Sequence, residues 1–186
     1  MLKSQAVGLL LKLVCIENAE RKSEHVDIQQ YSVRRLAEQT GISKSQVSLL
    51  LNHLLEIGLV RLDRQWHVPR VNRSALLDIL RSSVRYLFPV RPGEVTRGIP
   101  IGFAEPVLQQ QLMSAGELIP VWPDARGSAK GQAIVPLFAS VAVAVKHDAA
   151  LYDLLALVDC VRLGQARERQ LAFAQLERLF GLTLVG

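Results

Sequence analysis

With 186 residues, 49% of them hydrophobic and 21% charged, the chain has the balance of a globular protein able to bury a core. Its longest apolar runs, around Val7–Ile16 and Ile134–Val145, are too short to span a bilayer and no stretch resembles a signal peptide, so a cytoplasmic location is expected. The net charge of +5 is placed unevenly. Residues 1–86 hold thirteen Lys/Arg against eight Asp/Glu, and the other hundred residues hold nine of each. A cationic surplus confined to one half suits a polyanionic partner, because phosphate neutralisation needs clustered cations.

Residues 4–19 are apolar with few breakers and predict a first, largely buried helix. A polar connection follows, with a short strand expected at Val26–Ile28. Ser32 stands where an N-cap belongs, with Tyr31 before it as a staple residue, and opens a helix over Val33–Gln39. Thr40-Gly41 is the expected left-handed stop. Ser43 caps a second helix, Lys44 to about Ile57. Val47, Leu50, Leu51 and Leu54 share one face of it, while Ser45, Ser48, Leu49, Asn52 and Glu56 lie opposite, flanked by Gln46 and His53. After Gly58, Leu59–Leu62 and Trp66–Val68 read as a small hairpin joined through Asp63-Arg64-Gln65. A further helix is expected over Ser74–Leu87.

Pro89 to Pro106 is studded with proline and glycine and cannot be regular helix. We read it as a connector (89–106) between an N-terminal domain (1–88) and a C-terminal one (107–186). Beyond it we expect a short helix at Val107–Met113 and a second hairpin from Glu117–Trp122 and Gln132–Phe138. Two helices close the chain, Leu151–Leu163, apolar nearly all round, and the amphipathic Arg167–Phe180. The fold class is therefore α+β, mainly α.

The segment 32-SVRRLAEQTGISKSQVSLLLNHLLEIGLV-60 carries the functional signal: short helix, Gly-containing turn, second capped helix, then Gly-Leu-Val into a hairpin. It resembles the winged helix-turn-helix of bacterial transcriptional regulators, the MarR-like group in particular, over roughly residues 30–70. Leu36-Ala37 match the first helix, Gly41-Ile42-Ser43 the turn, Val47-Ser48 with Leu54 the recognition helix, and Glu56 to Val60 the approach to the wing. The resemblance implies binding of double-stranded DNA through the second helix, as a homodimer; no cofactor is expected.

The residues support that reading on physical grounds. The second helix presents unpaired backbone N–H groups at its N-terminus, suited to a phosphate. Its exposed face can enter a major groove, with Asn52 and Gln46 as candidates for adenine, Lys44 for a phosphate or guanine, and Leu49 for a thymine methyl. Ser43, Ser45, Ser48 and His53 complete that face. Arg34 and Arg35 on the first helix, and Arg61, Arg64, Arg70 and Arg73 along the hairpin, are candidates for backbone contact, joined by His67 at the hairpin. Because the recognition face is poor in arginine, affinity should rest largely on phosphates and the wing.

Other motifs are read as structural. Arg97-Gly98-Ile99-Pro100 is similar to an AT-hook but lacks its second arginine, so a packed or hinge loop is expected. Gly127 to Gly131 lacks the spacing of a phosphate-binding loop and reads as a hairpin turn. Cys15 and Cys160 read as small buried hydrophobes, and Trp122, Phe138 and Tyr152 as core. His25, His53, His67 and His147 have no ligand spacing, and no catalytic motif assigns a reaction, so the chain is read as a non-enzyme. The C-terminal half is left for dimerisation, a small effector or a partner protein. The arrangement weakly resembles antitoxins paired with nucleotidyltransferase toxins, the alternative function.

Overall fold

A computed structural model describes residues 1–101 and 118–183; the helix expected at Val107–Met113 lies outside them. The chain is a mainly helical α+β fold. Its centre is α1 (Ser4–Ser23), buried without a break from Ala6 to Glu17. A helix with no solvent face over twelve residues must be covered on all sides. Here α3 (Lys44–Glu56), β2 (Pro69–Val71) and the long C-terminal helix α7 (Ala149–Leu163) pack against it. Gly8 makes one of these contacts possible, because a Cβ there would lie 2.4 Å from Cε1 of Phe138.

After α1 the chain forms a 3₁₀ turn, Ile28–Tyr31, instead of the strand expected at Val26–Ile28. Among the described residues no strand lies alongside, and Asp27 accepts a bond from the Gln29 N–H at 3.1 Å, offering the backbone a local alternative to extension. Helix α2 (Val33–Thr40) begins at Ser32, whose Oγ accepts from the Arg35 N–H at 3.1 Å, and ends at Gly41 with φ 74°. Helix α3 (Lys44–Glu56) begins at Ser43, which accepts from the Gln46 N–H at 3.3 Å. Both predicted caps are thus present.

The wing pairs β1 (Val60–Leu62) with β2 (Pro69–Val71), placing Arg61 opposite Arg70. The second arm starts three residues later than Trp66–Val68. Asp63 Oδ1 accepts from the N–H groups of Trp66 (2.6 Å) and His67 (3.0 Å), holding those residues in a turn, with His67 at φ 53°. The helix expected over Ser74–Leu87 is two helices, α4 (Arg73–Ser82) and α5 (Val84–Leu87), broken at Ser83. The Ser82 hydroxyl donates back to the Asp78 carbonyl at 2.6 Å, a bond that bends helices.

The Pro/Gly-rich connector is not featureless, since it contains β3 (Val95–Pro100). This strand pairs antiparallel with β4 (Pro120–Pro123) and with β5 (Ala129–Ala133), while β4 and β5 run parallel, so the three close on themselves. The expected second hairpin is therefore replaced by a ring through β3. Glycines permit it: a Cβ on Gly98 would meet the Trp122 carbonyl oxygen at 2.2 Å, and one on Gly127 would meet Gly98 backbone at 2.1 Å. Gly98 is thus packed in a strand, not a hinge.

Helices α6 (Val141–Val145), α7 (Ala149–Leu163) and α8 (Ala166–Leu179) complete the chain. Their apolar side chains join those of α1–α5 in one continuous buried cluster. Polar ties cross the same boundary. Lys12 Nζ reaches Asp148 Oδ2 at 2.6 Å, and Ser140 Oγ donates to the Thr40 carbonyl at 2.7 Å. Asp159, itself buried, accepts from Trp122 Nε1 (2.7 Å) and Arg162 Nη1 (2.6 Å), and Arg162 Nε donates to the Phe88 carbonyl at 2.9 Å. Trp122 and Phe138 are core residues and both free cysteines are buried, as expected. Burial is the main cause that pushes each thiol up to about 12. Among the described residues no helix is long and apolar enough to cross a membrane, and no three His, Cys, Asp or Glu gather as a metal would require.

Candidate nucleic-acid interface

Helix α3 divides as its periodicity predicts. Val47, Leu50 and Leu54 are buried, while Ser43, Lys44, Ser45, Ser48, Leu49 and Asn52 are exposed and Gln46 and His53 half-buried. The Ser43 hydroxyl is committed to its cap and lies 3.3 Å from Ser45 Oγ. Leu49 is 64% exposed, an apolar side chain in the middle of an otherwise polar face. On α2, Arg34 and Arg35 are exposed and share Glu38 as counter-ion at 3.1 and 3.8 Å. Pairs this open cost little to exchange for a phosphate. Because α3 packs against β1, the wing stands beside the recognition helix.

The wing arginines separate into two kinds. Arg61 and Arg64 are exposed and have no ion pair among the described residues. Arg70 and Arg73, both expected at the DNA backbone, are instead turned inward. Arg70 Nη1 meets Glu20 Oε2 at 2.5 Å and donates to Tyr31 Oη at 2.8 Å, and its Nε donates to Asp63 Oδ2 at 3.0 Å. Its guanidinium also lies 5.3 Å above the Tyr31 ring. Arg73 is buried, donating to Asn18 Oδ1 (2.8 Å) and to the Phe180 carbonyl (3.1 Å). The reason is strand and helix register. Arg70 falls on the wing face that looks at the carboxylates of α1, and Arg73 on the first turn of α4 above Glu17.

The relay Glu20–Arg70–Asp63 is not legible in the sequence, since its members lie up to fifty residues apart. It fixes the wing tip to α1. Desolvation works against the Asp63 carboxylate; the Trp66 N–H, the Arg70 guanidinium and the His67 N–H outweigh it and hold the carboxyl below its ordinary range. The result is a wing whose tip presents Arg64 and a Trp66 side chain that is 40% exposed, with Leu62 also exposed. Trp66 thus belongs to the turn and not to the strand its apolar neighbours suggest. The sequence signal for that turn is Asp63, a residue type that bonds forward to backbone N–H groups.

A helix, a glycine turn, a capped second helix with a polar outer face and a two-stranded wing beside it define a winged helix-turn-helix protein. Residues 28–64 match one known family, the IclR helix-turn-helix domain. The likeness is thus to the IclR type and corrects the MarR-like resemblance; the class of domain is unchanged. Such a domain suggests a DNA-binding transcriptional regulator. No curated protein and no solved structure matches the chain.

Proposed function

We propose that the protein is a transcriptional repressor that seats α3 in the major groove of an operator and rests its wing on the flanking backbone. The observation carrying this is the outer face of α3, with Lys44, Ser48, Leu49 and Asn52 exposed beside the solvent-facing Arg61 and Arg64 of the wing, in a domain of IclR type. Asn52 and Gln46 read base edges, Leu49 a thymine methyl, and Lys44, Arg61 and Arg64 take phosphates. Arg34 and Arg35 exchange Glu38 for backbone contacts. Two copies bind a two-fold site, residues 1–88 supplying the DNA contact and 107–186 the pairing or sensing surface.

An effector would suit the open cleft of about 870 Å³ bordered by α1, α2 and the α6–α7 link and lined by Cys15, Ile16, Gln39, Val143 and His147. Its volume is that of a small-molecule site, and one wall is the first helix of the DNA-binding motif. A second reading, an antitoxin-like regulator gripping a partner protein, is favoured by the exposed Tyr86, Leu87, Val95 and Val135 around the ring and α5.

The direct test is an electrophoretic shift with the region upstream of its own operon. Binding should weaken by orders of magnitude as salt rises a few-fold, since each neutralised phosphate releases counter-ions. A folded protein that shifts no such fragment at low salt would refute the reading. Capture of DNA independent of salt would refute the phosphate contacts.

A further inference from the structure

A second concavity, about 520 Å³, opens at the base of the wing between α1, the two wing strands, the start of α4 and the chain beyond α8. Its lining is cationic: Arg21, Arg61, Arg70 and Arg73 stand against a single carboxylate, Glu17. Arg70 is neutralised elsewhere by Glu20 and Asp63. Arg21 and Arg61 have no ion pair among the described residues, and the chain turns at Gly181 beside the Arg21 guanidinium.

Arg73 is the telling member. Its side chain is only 7% exposed, yet Nε and Nη2 have no hydrogen-bond partner. Glu17 Oε2 is its ion-pair partner at 3.7 Å from Nη2, beyond hydrogen-bond reach, and that oxygen likewise has no hydrogen-bond partner. Buried guanidinium N–H groups without acceptors are costly. The same spot is the N-terminus of α4, a ten-residue helix whose Asn72 cap accepts from the Ala75 N–H at 3.2 Å. Burial holds the Arg73 guanidinium below its ordinary value; Glu17 opposes this and Arg21 adds like-charge repulsion. Burial likewise raises the Glu17 carboxyl, against the pull of Arg73 and Arg70.

We propose that this cavity is an anion site for a phosphate group, held by Arg61 and Arg21 at its rim above the buried charge of Arg73 and the N-terminus of α4. Guanidinium forks match the oxygens of a phosphate, and the helix terminus adds its partial positive charge. A bound phosphate joins β1 to α1 and α4, stiffening the wing at its root. The group comes either from the DNA backbone or from a phosphorylated small molecule. The first source rests on the DNA-binding reading above; the second does not.

Inorganic phosphate titrated calorimetrically into the full chain, at ionic strength matched with chloride, tests the site. Saturable one-to-one binding is expected. Arg21→Ala and Arg61→Ala, at exposed side chains whose loss leaves the core intact, should each weaken it about tenfold, as loss of one charge-assisted bond implies. Arg126→Ala, at an exposed arginine in the turn between β4 and β5, should leave it unchanged. Absence of saturation, or equal affinity in the Arg21→Ala and Arg61→Ala proteins and the unsubstituted chain, overturns the proposal. Repeating the titration with the protein saturated by a bound duplex separates the sources. Phosphate heat lost in the complex assigns the site to a backbone phosphate, and heat retained assigns it to a free phosphorylated ligand. If no duplex binds at all, the first titration still decides whether the site exists.

Discussion

Arg64 and Arg70 stand six residues apart on one wing, yet their surroundings give them different work. Arg64 is exposed at the tip, whereas Arg70 is held by Glu20, Tyr31 and Asp63. Arg64→Ala should weaken DNA binding on every sequence and reduce the slope of log K against log salt by about one, the loss of one phosphate contact. Arg70→Ala should weaken binding with the slope unchanged, because it disorders the wing without removing a phosphate contact. Affinities at several salt concentrations distinguish the two, and equal slope changes would return Arg70 to the interface. Asp63 makes the same point through acid. Its folded pKa lies below the ordinary 3.8, so its contribution to stability is whole above 3.8 and is lost as pH falls through the lower folded value. The amide shifts of Trp66 and His67 should follow that titration and be indifferent to acid in Asp63→Asn. Identical acid responses in both proteins would show that another carboxyl governs the turn.

Among the elements, those whose shape is decided by neighbours in the chain are legible in the sequence. Ser32 and Ser43 cap the helices they are expected to cap, Gly41 stops α2 in the left-handed region, and the buried face of α3 is the one its periodicity marks. The wing and the ring are less legible. The start of β2 depends on the Asp63 side chain, and β3 depends on strands whose sequence is far from its own. The glycines mark this difference. Gly58 has open space where a Cβ would lie but φ 79°, so Gly58→Ala costs about 1 kcal/mol of backbone strain. Gly98 has ordinary backbone but no room, so Gly98→Ala forces β3 and β4 apart and costs about 3 kcal/mol. Thermal melts of the two variants should rank in that order. A milder effect at Gly98 would mean that the ring is looser than its spacing implies.

At the scale of the molecule, a single apolar cluster runs from α1 to α8, and the Asp159–Arg162–Trp122 group ties the ring to α5 and α7. Tryptophan fluorescence and far-UV circular dichroism should therefore report one coincident unfolding transition. Leu154→Ala, emptying a fully buried position on α7, should lower the stability of the helix-turn-helix along with the rest by about 2–5 kcal/mol, the usual range for such cavities. Two separable transitions would instead support halves that fold independently. By itself the sequence determined the helix-turn-helix, its caps, its polar outer face and the concentration of positive charge in the first half, because each rests on residues close together in the chain or on composition alone. Only the tertiary structure decided which arginines face solvent. Arg61 and Arg64 remain exposed while Arg70 and Arg73 turn toward carboxylates and carbonyls contributed by α1 and the end of α8. A charge's role is set by the partner that folding brings within bonding distance.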